Sequence, residues 1–345
     1  MQRIINNIFS YKTEMMGFAI LILMIFHSSI PSFYGLKNIL EIGVDIFLFL
    51  GGFTCTLSYC KSKSNNQIGL YFKKRTWRIL PPYLVLYTII YAIEYLIKDD
   101  WNWIKFWGEL TMWDNLVHNS LNMWYVPAVL LMYMLIPVYV NCYIKWKFIF
   151  LLPFVVLLFV LGISLSGNVD ILPFSMAWVR LPVFLLGVNL FLIKDRKFKL
   201  NKWVVLISAF IAFIICWMLD YHQLTLKRLC YIPLVIAIVY YYDKNRWCRK
   251  FLGWAGTFSY ENYLMHWYVL RLLYGYTAEY VVSTVLSLPY LSQLNTHRLG
   301  IEALYASVIS YPLALMAAYL YHSFLNNTIY KKKKKSDLPF SHLHE

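Results

Sequence analysis

The sequence is poor in charge. Only 14% of its 345 residues are Asp, Glu, Lys or Arg, against about 25% in an ordinary soluble domain. Acidic residues are the scarcer kind, 17 against 32 basic ones. No stretch between the apolar runs is long enough to fold as a soluble domain, so a soluble enzyme is excluded, and the apolar content excludes a disordered chain. Cysteine is also scarce. Cys55, Cys60, Cys142, Cys216, Cys230 and Cys248 form no C-x-x-C pair, and most lie in or at the ends of apolar runs. A secreted disulfide scaffold is excluded, and the thiols read as small apolar fillers. No small-x-small cleavage site follows the first apolar run, which is therefore read as a retained span and not a signal peptide. An internal repeat of the kind found in inverted-repeat transporters is missing too.

What the chain has in abundance is hydrophobic residues, 60% in all, with 19% aromatic and a mean hydropathy of +0.54. A hydrocarbon core about 30 Å thick needs some 20 mostly apolar residues per helix. The apolar runs predict an all-α polytopic membrane protein with about ten transmembrane helices, at 14–31, 39–60, 79–97, 124–143, 148–166, 172–193, 203–219, 228–242, 251–270 and 301–325. Residues 1–325 form the membrane domain, and 326–345 a basic cytoplasmic tail that includes Lys331 to Lys335.

The net charge of +15 does not indicate nucleic acid, because the basic residues sit in short clusters between apolar runs. With the N-terminus inside, 24 of the 32 fall on the inner side and 7 on the outer, leaving Arg180 within a span. Positive charge is retained on the cytoplasmic side, so both termini are expected there, with the tail drawn to anionic lipid. The outer segment 98–123 carries Trp101, Trp103, Trp107 and Trp113, and 271–300 carries Tyr274, Tyr276, Tyr280 and Tyr290. These suit either interfacial anchors or stacking platforms for sugar rings.

Ionisable groups at membrane depth are functional candidates. His27 lies about 13 residues into the first span, roughly 20 Å along its axis at 1.5 Å per residue. His266 lies at a similar depth in the ninth span, which runs in the same direction, with Asn262 and Tyr263 on its helical face. Glu41 and Asp45 share one face of the second span. Asp45 is deep enough to need a partner: it either orients His27 or ties helices together. Arg75 and Arg78 share a helical face at the cytoplasmic boundary, beside Lys74, and guanidinium forks suit phosphate oxygens. Arg180 must pair with a carboxylate or a ligand.

In order and spacing these segments resemble the integral-membrane acyltransferase-3 family, whose members O-acylate cell-surface glycans from an acyl-CoA donor. "MGFAILILMIFH" resembles the first-helix motif that ends in the catalytic histidine, here His27. "IGVDIFLFLGGF", "KKRTWRILPPY", "MWYVPAVLLMYMLIP", "RLPVFLLG" and "FSYENYLMH" resemble the later motifs. The resemblance implies thioester acyl transfer, with His27, His266 and Asp45 as catalytic candidates. Arg75, Arg78 and Lys74 would hold acyl-CoA, with acetyl-CoA the expected donor. Arg180, Trp124, Tyr260, Glu261 and Asn262 would contact a polysaccharide or lipid-linked glycan acceptor. No metal is implied, and the site would lie in a multi-pass protein of the cell membrane.

Three positions depart from the family pattern. Met16 stands where the family has arginine, eleven residues before the histidine. Gly51 replaces a serine, and the acidic residue that often follows the tryptophan of the fourth span is missing from "WYVPAVLL". Lys12 is read as too far along the helix to substitute for the arginine. A stand-alone version without an appended hydrolase-like domain is expected. The rival readings are a glycan or lipid-linked sugar transporter and an inactive relative serving as a membrane partner.

Overall fold

The protein is described by a computed structural model over residues 1–27, 39–98, 102–117, 123–165, 174–196, 199–218, 224–242, 248–275 and 296–330; side chains at 97–98, 164–165, 224–226, 228–229, 270–275 and 296–309 lie outside that description. Among the described residues the regular structure is helical throughout, with no strand. The elements are α1 (Gln2–Phe26), α2 (Ile42–Ser64), α3 (Ile68–Lys98), α4 (Trp103–Leu110), α5 (Trp113–Val117), α6 (Tyr125–Lys145), α7 (Leu152–Leu165), α8 (Ser175–Leu192), α9 (Lys202–Met218), α10 (Leu224–Tyr241), α11 (Arg249–Thr257), α12 (Ser259–Gly275) and α13 (Thr296–Leu325). Five of them, α1, α2, α3, α6 and α8, are long and apolar enough to cross a membrane.

Several predicted boundaries shift. The first helix begins at Gln2, with a kink at Tyr11 where the backbone leaves helical geometry. The third begins at Ile68, so Arg75 and Arg78 lie on the helix itself and not in a connecting loop. The predicted ninth span is broken at Phe258 into α11 and α12. The tenth helix starts at Leu224, before the predicted span at 228–242, and takes in Lys227, which is buried. The basic tail at 331–335, Trp101 and most of the outer tyrosine segment lie outside the described residues.

Lipid offers little hydrophobic drive for helices to associate, so close packing of small residues must supply it. Two crossings show this. In α2 against α8, a Cβ on Gly52 would strike the carbonyl of Phe184, and one on Gly187 would strike that of Phe49. In α1 against α11, Gly17 lies on the Leu252 carbonyl and Gly256 on that of Thr13. These contacts bind α1, α2, α8 and α11 into the centre of the molecule, while α7 and α9 turn apolar side chains such as Leu158, Phe159, Ile207 and Phe210 outward. Tyr83, Tyr87, Tyr91 and Tyr95 recur every fourth residue along the buried face of α3, and Tyr83 stacks on Tyr87 at 4.7 Å.

The predicted tryptophan-bearing segment forms α4. Asn102 caps it, accepting hydrogen bonds from the amides of Ile104 and Lys105. Its two faces differ sharply, with Phe106 and Leu110 buried and Trp103, Ile104 and Trp107 exposed. That division suits a helix lying in the membrane interface.

Candidate active site

α1 and α12 bring the two membrane histidines together. His27 caps the C-terminus of α1, and its Nδ1 lies 2.9 Å from Nε2 of His266. The other nitrogen of His266, Nδ1, is 3.0 Å from the backbone carbonyl of Asn262, one turn earlier in the same helix. Phe26 and Trp267 pack edge-on against the His27 ring at 4.9 and 5.4 Å. A second rung lies one turn below, where the Asn262 amide reaches the sulfur of Met24 at 3.2 Å. Matching turns on two helices thus hold the pair, and His266 is almost completely buried.

A cavity of about 470 Å³ opens between α1, α2, α3, α6, α11 and α12. Arg75, Arg78 and Lys12 contribute three cationic side chains to its lining, together with hydroxyls from Thr13, Thr54, Thr257, Ser259 and four tyrosines. Arg75 donates to the Thr54 carbonyl at 3.3 Å, and its Nε is buried with no hydrogen-bond acceptor among the described residues. Leaving a charged donor unsatisfied is costly, so the cavity suits an anion. Tyr263 lines the cavity and also packs on the His266 ring at 5.8 Å and on Tyr125 at 4.7 Å. It joins the cationic cavity to the histidine pair.

Lys12 is the feature that sequence spacing undervalued. It lies one turn from Met16, and both face the same cavity, as does Gly51. Two of the three departures from the family pattern therefore fall in one lining, where Lys12 supplies a cation on the face that lacks the arginine. Lys74 is exposed and does not line the cavity.

The carboxylates are held in ion pairs. Asp45 accepts from Arg180 Nη1 at 3.0 Å, and Glu41 accepts from Nη2 of the same guanidinium. Of the two roles open to Asp45, the ion pair with Arg180 is the helix-tying one, while His27 lies against His266. Arg180 is buried, with Trp124 stacked 5.0 Å from its guanidinium carbon. A guanidinium bound by two carboxylates in a low-dielectric interior ties α2 to α8 and is poorly placed to seize an incoming sugar. Glu261, expected near the acceptor, is wholly buried and accepts from Arg78 at 3.3 Å and from His322 Nδ1 at 3.0 Å. It fixes Arg78 at the cavity edge and joins α3, α12 and α13. Tyr260 lines the cavity, and its hydroxyl donates to the Ile79 carbonyl at 2.9 Å. His322 was not anticipated; its only sequence signal was a basic group in the last turn of α13.

No group of three or more metal-ligating side chains occurs among the described residues, and all six cysteines are unpaired thiols. Comparison with curated proteins and with solved structures returns no match. The acyltransferase domain that defines the acyltransferase-3 family matches residues 15–321. That range takes in α1 from Met15 onward and every described helix as far as Tyr321 of α13, with the histidine pair, the Arg180 cluster and all of the cavity lining except Lys12 and Thr13 inside it. The chain belongs to this family of membrane acyltransferases.

Proposed function

We propose that the protein moves an acyl group, acetyl in the first instance, from cytoplasmic acyl-CoA to a hydroxyl of a cell-surface or exported polysaccharide or its lipid-linked precursor. The observation that carries this reading is the His27–His266 pair, 2.9 Å apart and linked through Tyr263 to a cavity lined by Lys12, Arg75 and Arg78. A hydroxyl is a poor nucleophile, and a histidine that takes its proton during attack contributes about 10²–10⁴-fold. The hydroxyl oxygen attacks the thioester carbonyl while its proton passes to His27. As the carbon–sulfur bond breaks, the proton returns to the CoA sulfur, so an ester and a thiol leave and the enzyme is unchanged. The three cations face the phosphate-bearing part of the donor, where charge-assisted hydrogen bonds are strongest. Donor and acceptor approach from opposite sides, so the acyl group crosses the membrane within the protein at the plasma membrane of the cell.

Family membership favours this reading over a transporter, as does a cluster of cations suited to phosphate. Mass spectrometry of polysaccharide and lipid fractions from cells with and without the protein tests it. An acyl mass lost from a glycan fraction in the deficient cells is expected. Identical acylation, with the glycan retained inside the deficient cells, would point to transport instead.

A further inference from the structure

The hydrogen bonds around the histidine pair determine which nitrogen is basic. The Asn262 carbonyl can only accept, so His266 Nδ1 carries a hydrogen. A neutral imidazole has one N–H, which leaves Nε2 of His266 as an acceptor. The 2.9 Å contact therefore runs from His27 Nδ1–H to His266 Nε2, and the lone pair of His27 resides on Nε2. Each ring selects the tautomer of the next, as in the arrangement where a carboxylate fixes the histidine that serves a nucleophile.

We infer that His27 Nε2 is the base of the acyl transfer and that His266 is a positioning residue, holding His27 in that tautomer through the Asn262 carbonyl. This rests on the acyltransferase reading above. When the acceptor hydroxyl attacks, its proton forms an N–H bond at His27 Nε2. The positive charge on the ring strengthens the Nδ1–H bond to His266 without moving that hydrogen. The same Nε2–H then gives its proton to the departing CoA sulfur, and the starting tautomer is restored. His266 touches neither reactant and undergoes no net change.

The groups facing His27 make the dependence on His266 readable in a pH profile. Its ring neighbours, Phe26 on α1 and Trp267 on α12, are uncharged. On the packed helices, Glu41 and Asp45 of α2 bind Arg180, Glu261 of α12 binds Arg78 and His322, and Arg249 of α11 pairs with Glu14 of α1. Lys250 of α11 is exposed and Lys227 of α10 is buried.

Three substitutions separate positioning from direct chemistry. His266→Gln keeps an acceptor near the Nε2 position and is expected to hold kcat/KM within about tenfold of the native value. His266→Glu supplies a charged acceptor that favours the protonated form of His27, so activity persists with its acidic limb moved to higher pH. His266→Leu offers no acceptor and should lose about 100-fold or more, in kcat rather than KM, within the range for general base catalysis. Equal inactivity of all three in folded protein, beside an active native enzyme, would overturn the inference and make His266 itself the reacting group. An inactive native enzyme would instead defeat the acyltransferase reading. Nitrogen-15 histidine spectra address the tautomer without turnover, with His27 identified by loss of its signals in His27→Gln. A protonated Nδ1 and bare Nε2 on His27 are expected, and the reverse would overturn the inference.

Discussion

At the scale of single residues, His27→Ala removes the proposed base while leaving the spans and their crossings intact. Protein level and membrane insertion should match the native chain, and acyl transfer should fall about 10²–10⁴-fold. The cations are not equivalent. Arg78 is held by buried Glu261, so Arg78→Gln strands a carboxylate as well as removing a charge. Lys12 makes no ion pair among the described residues, and the one hydrogen bond of the Arg75 side chain goes to a backbone carbonyl. Lys12→Gln with Arg75→Gln is thus the cleaner probe of donor binding. Charge-assisted contacts are each worth about 1.5–3 kcal/mol, so acyl-CoA affinity should fall at least tenfold and become less sensitive to salt. An unchanged dissociation constant would reduce these residues to topological charges. Depth and helical face marked His27, His266, Arg75 and Arg78 as candidates, and the resemblance to the family suggested their roles. Neither revealed that Asp45 belongs to Arg180, since the cation comes from a helix 135 residues away.

At the scale of elements, neighbouring glycines in α2 should respond in opposite ways. A side chain at Gly52 collides with the α8 backbone, whereas one at Gly51 meets nothing and faces the cavity. Gly52→Val is expected to lower the detergent-solubilised unfolding midpoint or abolish a monodisperse elution peak. Gly51→Ser should leave both near native values. The contact of α1 with α12 makes a further prediction. Cysteines at 27 and 266, in a background without the six native cysteines, should be joined by a short bifunctional thiol reagent and protected from alkylation by acyl-CoA. Failure of both in folded protein would separate the two helices. Most helices were legible from their apolar runs, but the kink at Tyr11 and the break at Phe258 were not. Hydropathy measures a segment's affinity for lipid and carries little information about backbone direction; the kink and the break flank the close crossing of α1 and α11 at Gly17 and Gly256.

For the whole molecule, the account needs an orientation as well as a fold. On the bias of basic residues, we propose that the loop after α2 and the C-terminal lysines lie on the cytoplasmic side. Cysteine introduced at Ser64 or Ser336 should react with a membrane-impermeant maleimide only after permeabilisation, and cysteine at Trp103 in intact cells. The reverse pattern would put the cationic cavity on the side that lacks acyl-CoA. Five long apolar helices follow directly from length and composition, while shorter ones such as α9 are recognised as apolar helices whose crossing depends on their neighbours.

The most direct test follows the acyl group through the protein. Sealed, inside-out membrane vesicles containing either native protein or His27→Ala would receive CoA carrying an isotope-labelled acetyl group, with a glycan fraction from deficient cells enclosed in the lumen. The account predicts label esterified to lumenal glycan in native vesicles only, and lost when the ester is cleaved with mild base. Equal labelling by the His27→Ala protein, or label that never reaches the glycan while acetyl-CoA binds normally, would contradict it.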